Sequence, residues 1–333
     1  MTAGTLGRSD VRATALGFGG APLGNLFRAV DDDTAAEAVR AAWDAGVRLF
    51  DTAPHYGLGL SERRLGRVLA DLPREGYTLC TTVGRILEPT PARARQRDDQ
   101  GFDVPATHTR RWDFSADGVR RSLEASLERL GLDRVDIVLV HDPDDHARQA
   151  LEEAYPALHD LRAQGVVGAI GAGMNQADLL ERFVTETDVD TVLLAGRHTL
   201  LEQSADRLIA TCLDRGVSVL AGGVFNSGLL AHDHPPEEAT YDYRRAPAGL
   251  RERALRIAAT ARRHGVSLPQ AAIAFTGAHP AVASVVLGMR SADQVRRNAE
   301  LAARPVPAAL WSDLAEEGLL DPGAVPADGA SPP

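Results

Sequence analysis

The sequence predicts a (β/α)8 barrel, and three observations support this fold class. Short apolar runs, polar loops and segments of helical periodicity alternate eight times along the chain. No G-x-G-x-x-G motif opens a helix after any apolar run, and eight units exceed what a doubly wound sheet usually contains. A chain of 333 residues with 44% hydrophobic content can bury one large core. We therefore predict a single barrel domain over residues 1–320, with its active site at the carboxyl ends of the strands.

The apolar runs are the predicted strands, and helical segments separate them. In chain order, the strands are predicted at residues 15–19, 47–51, 78–83, 134–140, 167–171, 191–194, 217–220 and 283–287. Helices are predicted at residues 33–44, 61–71 and 117–130 between the first four strands. Two connections, 84–112 and 221–247, are too long to be simple loops and follow the third and seventh strands. We expect the first to cover the substrate pocket.

Composition argues against several kinds of partner and location. The net charge is −10 and the basic residues are scattered, which disfavours binding to nucleic acid or to an anionic membrane. No signal peptide or long apolar run is visible, and Cys80 and Cys212 lie within apolar runs, which is typical of reduced thiols in a cytoplasmic protein. Residues 321–333 are rich in Pro, Ala and Gly and predict a disordered tail. All 36 basic residues are arginines, so the chain contains no lysine.

A group of reactive side chains follows the second predicted strand. Asp51 ends that strand, and His55 and Tyr56 come directly after it. Taken alone, Asp51 would be a turn cap and Tyr56 a packing residue. A barrel changes this interpretation, because it gathers the residues that follow its strands at one rim. The polar residues that follow the third, fourth and fifth strands are Thr82, His141 and Asn175.

These residues and their surroundings resemble the aldo-keto reductase family. The matching segments span nearly the whole chain and are 50–57, 61–66, 130–137, 173–175 and 287–298. Segments 83–85, 112–115 and 195–201 resemble more narrowly the branch that contains sugar 1-dehydrogenases and pyridoxal dehydrogenase. The resemblance implies hydride transfer between NAD(P) and a sugar, a lactol or another small aldehyde or ketone. It does not indicate an oligomeric state.

The resemblance also implies the catalytic roles. Tyr56 would donate or accept the proton, His141 would assist, and Asp51 would pair with a cation, because a phenol with an ordinary pKa near 10 needs such neighbours. Relatives have lysine where this chain has Thr82, and Arg85 is a weak substitute because it cannot release its proton. We therefore expect reduced activity, biased toward carbonyl reduction at mildly acidic pH with a protonated His141. The alternative is a nicotinamide-binding sensor or partner subunit with little catalysis.

For the cofactor, the resemblance implies contacts along the whole rim. A residue matching Asn175 holds the nicotinamide amide in relatives, and the loop 223–229 would wrap the pyrophosphate with backbone amides. The implied cofactor residues are Gly19, Gly20, Asn175, Phe225, Asn226, Ser227, Gly228, Leu229, Gly288, Met289, Arg290, Gln294, Arg297 and Asn298.

The choice of cofactor depends on the start of the last helical segment. Gln294 cannot neutralise a 2′-phosphate, whereas Arg290 or Arg297 could, so we expect a small preference for NAD over NADP. We predict no metal site. The predicted substrate residues are His55, Arg85 and Trp112.

Overall fold

The computed structural model describes residues 2–242 and 244–326, and its central feature is a closed barrel. Within these residues eight parallel strands close the barrel, and strands that follow one another in the chain are neighbours. The strands, labelled β1 to β8, are Leu16–Gly19, Leu49–Asp51, Thr78–Val83, Ile137–His141, Ala169–Met174, Thr191–Ala195, Ser218–Gly222 and Val282–Gly288. The predicted fold class and all eight predicted strands are therefore confirmed.

Helices surround the barrel and connect its strands. Labelled α1 to α10 in chain order, they are Asp32–Asp44, Leu60–Leu69, Ala116–Leu130, Tyr155–Ala163, Ala177–Glu186, Asp206–Arg215, Ala248–Arg263, Leu268–Gly277, Ala292–Ala302 and Ala308–Glu316. Asp31 caps α1 by accepting a hydrogen bond from the Thr34 amide, and Ser115 caps α3 in the same way. Within the described residues, no helix has the length and apolar character needed to cross a membrane.

The core has two layers, and alternate residues of each strand face different layers. Leu139 of β4 packs inside the barrel, whereas Val138 and Val140 pack between the barrel and the helices. An N-terminal hairpin of Ala3–Thr5 and Arg12–Thr14 lies at the amino ends of the strands, and its Ala13 joins the inner layer. The sequence analysis missed this hairpin because its strands are three residues long and mostly polar.

The long connection after β3 contains a β-hairpin, which the sequence analysis did not predict. Arg85–Pro89 pairs antiparallel with His108–Trp112, and Phe102 and Val104 between them pack on Leu58, which follows β2. These contacts place the hairpin over the loop that carries Tyr56. The connection after β7 contains a shorter hairpin, which pairs Thr240–Tyr241 with Arg244–Arg245.

The predicted C-terminal tail begins with a turn. Pro322–Ala324 form a 3-10 helix, and Ala324 and Val325 pack against the main core. Residues 321–326 therefore have a defined conformation, while residues 327–333 of the predicted tail lie outside the described residues.

Candidate active site

Asp51, Thr82 and His141 occupy equivalent places in three neighbouring strands, β2, β3 and β4. Each lies two positions after a residue of the inner core, namely Leu49, Cys80 and Leu139. Because side chains two positions apart point to the same face of a strand, all three face the barrel interior at its carboxyl end. The alternation of side-chain direction along each strand therefore explains why these polar residues lie together at the rim.

Tyr56 is held near them by a close approach of two loops. An added Cβ at Gly24 would lie 2.5 Å from the Tyr56 carbonyl carbon, and one at Gly57 would lie 2.3 Å from the Gly24 oxygen. Gly57 also has a φ of 61°, a conformation that glycine adopts without strain. Only glycine at both positions lets the loops after β1 and β2 meet here, and this contact positions the Tyr56 backbone.

Tyr56, Thr82 and His141 are neighbours in the structure. The Thr82 hydroxyl lies 3.1 Å from His141 Nδ1, within hydrogen-bond distance. The rings of Tyr56 and His141 meet edge to face, with their centroids 6.0 Å apart. His55 packs behind them, its ring 5.7 Å from that of His141 and 5.1 Å from that of Phe102. Tyr56, Thr82 and His141 therefore lie side by side at the rim of the barrel.

The two histidines beside Tyr56 have lowered pKa values. Burial lowers the pKa of His141 well below its ordinary value, and the positive charge of Arg85 lowers it further. Burial followed by the charge of Arg85 also lowers the pKa of His55. These lowered pKa values disfavour the protonated His141 that the sequence analysis expects, and that expectation stays a prediction. If the Thr82 hydroxyl donates to Nδ1, the neutral ring carries its hydrogen on Nε2 and can donate it to a ligand.

Asp51 is a buried carboxyl group that lacks a strong partner. Its side chain is 4% exposed, and its Oδ1 atom has no hydrogen-bond partner. Burial raises the pKa of Asp51 to about 7, while the Cys80 thiol acts in the opposite direction. Cys80 pairs with Asp51 across β2 and β3, and Thr82 follows on the same face. A long cationic side chain at position 82 would point toward this carboxyl group, so its raised pKa is the expected result of threonine there.

We expect Asp51→Asn to stabilise the protein at neutral pH. The pKa of Asp51 is about 7 in the folded protein and 3.8 ordinarily, so the folded protein binds this proton more tightly than the unfolded chain does. The contribution of Asp51 to the free energy of unfolding is therefore greatest below about pH 4. It falls by up to about 4 kcal/mol as the pH rises to about 7. Asparagine carries no charge at any pH and avoids this loss.

The measurement is urea unfolding of both proteins at about pH 4 and about pH 8. The advantage of the asparagine variant should appear only at the higher pH. Asp10→Asn, at an exposed aspartate, serves as the control and should show no such difference. An advantage of equal size at both pH values would contradict the raised pKa of Asp51.

A cavity of about 560 Å³ begins at Asp51 and Tyr56 and extends across the rim. Predicted cofactor residues that line it are Gly19, Asn175, Phe225, Asn226, Ser227, Gly228, Gly288, Arg290, Gln294, Arg297 and Asn298. Leu229 and Met289 do not line it, because their side chains are fully buried in the main core. Gly20 also lies outside the cavity and donates its amide hydrogen to the Asp51 carbonyl oxygen over 2.8 Å.

The far end of this cavity is positively charged. Arg28, Arg290 and Arg297 all line it, and none of the three forms an ion pair with a carboxylate within the described part of the chain. Burial lowers the pKa of Arg290, and the nearby charge of Arg28 lowers it further. Like charges without a counterion are unfavourable, so this end suits an anion. Sequence reasoning missed Arg28, because it lies in an irregular loop well beyond the end of β1.

Arg85 and Trp112 line a second, smaller cavity of about 220 Å³, and Asn175 borders both cavities. The Arg85 guanidinium lies 4.3 Å from the centre of the Trp112 ring and forms an ion pair with Asp142. His55 is a predicted substrate residue but lines neither cavity. Sequence reasoning missed Asp142, although its place directly after His141 was a visible signal.

The larger cavity fits an elongated ligand that carries phosphate groups. Several glycines line it, and backbone next to a glycine can approach a ligand closely. An added Cβ at Gly223 would lie 2.8 Å from the Gly196 amide nitrogen, and its φ of 64° also favours glycine. The arginines at one end suit phosphate, and the polar groups of Asn175 and Tyr56 at the other end suit an amide-bearing ring and a reacting oxygen.

The barrel, its polar rim and this cavity define a dinucleotide-dependent oxidoreductase. The chain belongs to the aldo/keto reductase family, whose model matches residues 15–316. It is similar to a D-threo-aldose 1-dehydrogenase from a Pseudomonas species, with 48% identity over 310 residues, 92% of this chain and 94% of that protein. Its identity to a pyridoxal 4-dehydrogenase from Microbacterium luteolum is 36% over 333 residues, 95% of this chain and 97% of that protein.

A solved structure leads to the same family. The holo form of an aldo-keto reductase from Bacillus halodurans matches with a TM-score of 0.74 and 25% identity, covering 96% of this chain and 97% of that one. The predicted family resemblance, including its sugar and pyridoxal dehydrogenase branch, is confirmed. The protein is therefore an NAD(P)-dependent oxidoreductase.

Proposed function

We propose that the protein transfers a hydride between NAD(P) and the anomeric carbon of an aldose. The observation that carries this proposal is the placement of Tyr56 and Asn175 on one cavity, beside the hydrogen-bonded pair of Thr82 and His141. The similarity to a D-threo-aldose 1-dehydrogenase supports an aldose as the substrate. When bound, the nicotinamide supplies the hydride acceptor or donor.

The proton is handled by residues of the chain. In aldose oxidation, ionised Tyr56 takes the proton of the anomeric hydroxyl group as that carbon loses its hydride, and the product is a lactone. Neutral His141 donates its Nε2 hydrogen to the same sugar oxygen and orients it. Thr82 holds the imidazole in that tautomer through its contact with Nδ1. Asn175, which lines the cavity, would hold the carboxamide of the nicotinamide.

The smaller cavity has the chemistry of a sugar-binding site. The Arg85 guanidinium and the carboxylate of Asp144 line it and can form directional hydrogen bonds with hydroxyl groups. Trp112 also lines it, is 41% exposed and can contact the apolar part of a sugar through the exposed part of its ring. A polar, charged lining of this kind favours a hydroxylated substrate, which supports an aldose over an apolar carbonyl compound.

The positive end of the larger cavity bears on the choice of cofactor. The expected preference for NAD depended on Gln294, which cannot neutralise a 2′-phosphate. In the structure, the side-chain oxygen of Gln294 accepts the Arg290 amide hydrogen over 3.0 Å. A 2′-phosphate would bring negative charge to Arg28, Arg290 and Arg297, which have no carboxylate partners within the described residues. This arrangement supports binding of NADP in addition to NAD.

The test combines dinucleotide binding with turnover. Fluorescence titration with NADH and NADPH should saturate despite Thr82, because the cofactor residues are separate from position 82. Arg290→Gln should weaken NADPH binding about tenfold and NADH binding less than about threefold, since only NADPH carries the additional phosphate. Wild-type protein should then oxidise members of an aldose panel when supplied with NAD or NADP.

Arg40→Gln is the matched control, because Arg40 is an exposed arginine on α1. It should leave both titrations unchanged. If neither reduced dinucleotide binds even at about millimolar concentration, the proposed function fails. Equal loss of NADH and NADPH affinity in Arg290→Gln would show that Arg290 contacts a part of the cofactor common to both.

A further inference from the structure

We propose that Arg110 is a positioning residue for proton transfer, because its guanidinium fixes the peptide group that joins His55 to Tyr56. The proposal deepens the proposed function and rests on it, since Tyr56 is the group that takes the proton of the aldose. Arg110 lines neither the larger nor the smaller cavity. It therefore acts through the backbone of the loop that carries Tyr56.

The peptide group between His55 and Tyr56 is held at both ends. Its N–H group, the Tyr56 amide, donates to the Ala53 carbonyl oxygen over 3.1 Å, within the loop itself. Its carbonyl group, that of His55, accepts from Arg110 Nη2 over 3.0 Å. Because a peptide group is planar, its rotation would change the direction in which the Tyr56 side chain leaves the backbone. Arg110 supplies one of the two hydrogen bonds that oppose this rotation.

The bond from Arg110 differs from the others in this loop, because it comes from a distant part of the chain. The carbonyl oxygens of Ala53, Pro54 and Tyr56 accept from amides a few residues further along the chain. The His55 carbonyl oxygen accepts from an arginine that is 55 residues away in sequence. A carbonyl group shielded from water needs a partner, so removal of Arg110 favours rotation of this peptide group.

The loop also depends on the hairpin after β3 for its backbone conformation. Gly57, Leu58 and Gly59 have successive positive φ values of 61°, 54° and 77°. Leucine rarely adopts this conformation, and a strained residue persists only where the surrounding structure holds it. Leu58 is 2% exposed and packs with Phe102 and Val104, which lie between the two strands of the hairpin. The hairpin therefore holds this loop in a conformation that its own sequence does not favour.

The ion pair that holds the guanidinium is almost fully buried. The side chains of Arg110 and Asp98 are 4% and 3% exposed, and two hydrogen bonds of 2.6 and 3.2 Å join them. Hydrophobic residues of similar volume often replace such a pair without loss of stability. They could not donate to the His55 carbonyl oxygen, so this hydrogen bond accounts for a buried arginine at this place.

The experiment replaces the ion pair by an apolar pair, Arg110→Met with Asp98→Leu, and measures kcat and KM for aldose oxidation. The double substitution leaves no unpaired buried charge, which Arg110→Met alone would do, so the protein should fold. We expect kcat to fall about tenfold or more, because a small displacement of a reacting group is costly in rate. The KM and the affinity for NADPH should change less than about threefold, since neither depends on the direction of the Tyr56 phenol.

Arg111→Met is the matched control, because Arg111 lies on the same hairpin but is 42% exposed and pairs with Glu88. It should leave kcat unchanged. Titration with NADPH shows that the fold and the larger cavity of each variant are intact. An unchanged kcat in the variant with the apolar pair would overturn the proposal.

A double-mutant cycle with Tyr56→Phe distinguishes positioning of the phenol from general damage to the structure. If Arg110 acts through this phenol, the apolar pair should lower the residual rate of the Tyr56→Phe protein by less than about twofold. A purely structural loss would lower the rate by the same factor whether or not the phenol is present. That equal factor would also overturn the proposal.

A second measurement does not depend on turnover and separates this proposal from the proposed function. If the wild type binds dinucleotide but oxidises no aldose, the proposed function fails. Fluorine NMR of protein labelled with 3-fluorotyrosine still reports on Tyr56, whose signal among the five tyrosines is identified by its loss in Tyr56→Phe. The apolar pair should move this signal, because the Tyr56 ring lies 6.0 Å from that of His141 and 6.1 Å from that of Phe102. The signal of Tyr77 should stay in place. An unchanged Tyr56 signal would overturn the role of Arg110 whatever the substrate.

Discussion

Tyr56→Phe lowers the rate of aldose oxidation by about 10² to 10⁴ and leaves dinucleotide affinity nearly unchanged. The substitution deletes only the phenolic oxygen, which is the group proposed to take the proton. The ring remains and keeps its packing against Phe102, 6.1 Å away between centroids, and against His141. Catalysis and binding therefore separate in this variant.

The measurements are kcat and KM for the aldose, together with fluorescence titration of NADPH. Tyr77→Phe is a control, because Tyr77 is 5% exposed in the core and its hydroxyl has no hydrogen-bond partner among the described residues. It removes the same atom at a site away from the rim and should leave the turnover unchanged. Full activity in Tyr56→Phe would show that another residue or a water molecule handles the proton.

Thr82→Lys raises the rate of aldose oxidation at neutral pH about tenfold or more, and raises carbonyl reduction less. The new ammonium group favours the ionised form of Tyr56. The rise of the oxidation rate with pH should therefore begin at lower pH. It also provides a partner for Asp51, whose pKa should fall from about 7. Loss of the contact between Thr82 and His141 Nδ1 opposes this gain.

Initial rates against pH in both directions test this prediction. Thr82→Met lengthens the side chain without adding charge and should not raise oxidation at neutral pH. Combining Thr82→Lys with Asp51→Asn should reduce the gain, because the ammonium group then loses its carboxylate partner. An unchanged oxidation profile in a folded, dinucleotide-binding Thr82→Lys protein would contradict the prediction. That result would favour a nicotinamide-binding sensor or partner subunit.

The β-hairpin after β3 could not be predicted from the sequence. Its two strands are separated by residues 90–107, and their pairing depends on contacts distant in sequence. Phe102 packs beside Leu58, and Arg110 pairs with Asp98 while donating to the His55 carbonyl oxygen. Local periodicity carries no information on such contacts, so the segment reads as a loop in the sequence.

The sequence also could not predict which loop residues line the cofactor cavity. Leu229 and Met289 stand next to residues that line the cavity, yet their side chains pack in the core. Arg28 belongs to the cavity without any motif that marks it. Adjacent residues in a loop can face opposite directions, and the backbone conformation that decides between them is set by tertiary packing.

The sequence by itself determined the barrel, its eight strands and the arrival of Asp51, Thr82 and His141 at one rim. These follow from local periodicity, because apolar runs of strand length must be buried and alternate side chains share a face. Only the tertiary structure decided the charges at that rim. Burial and the neighbouring Arg85 lower the pKa of His141, and burial raises the pKa of Asp51 to about 7. A pKa depends on solvent exposure and on charges brought near by folding, which the order of residues does not contain.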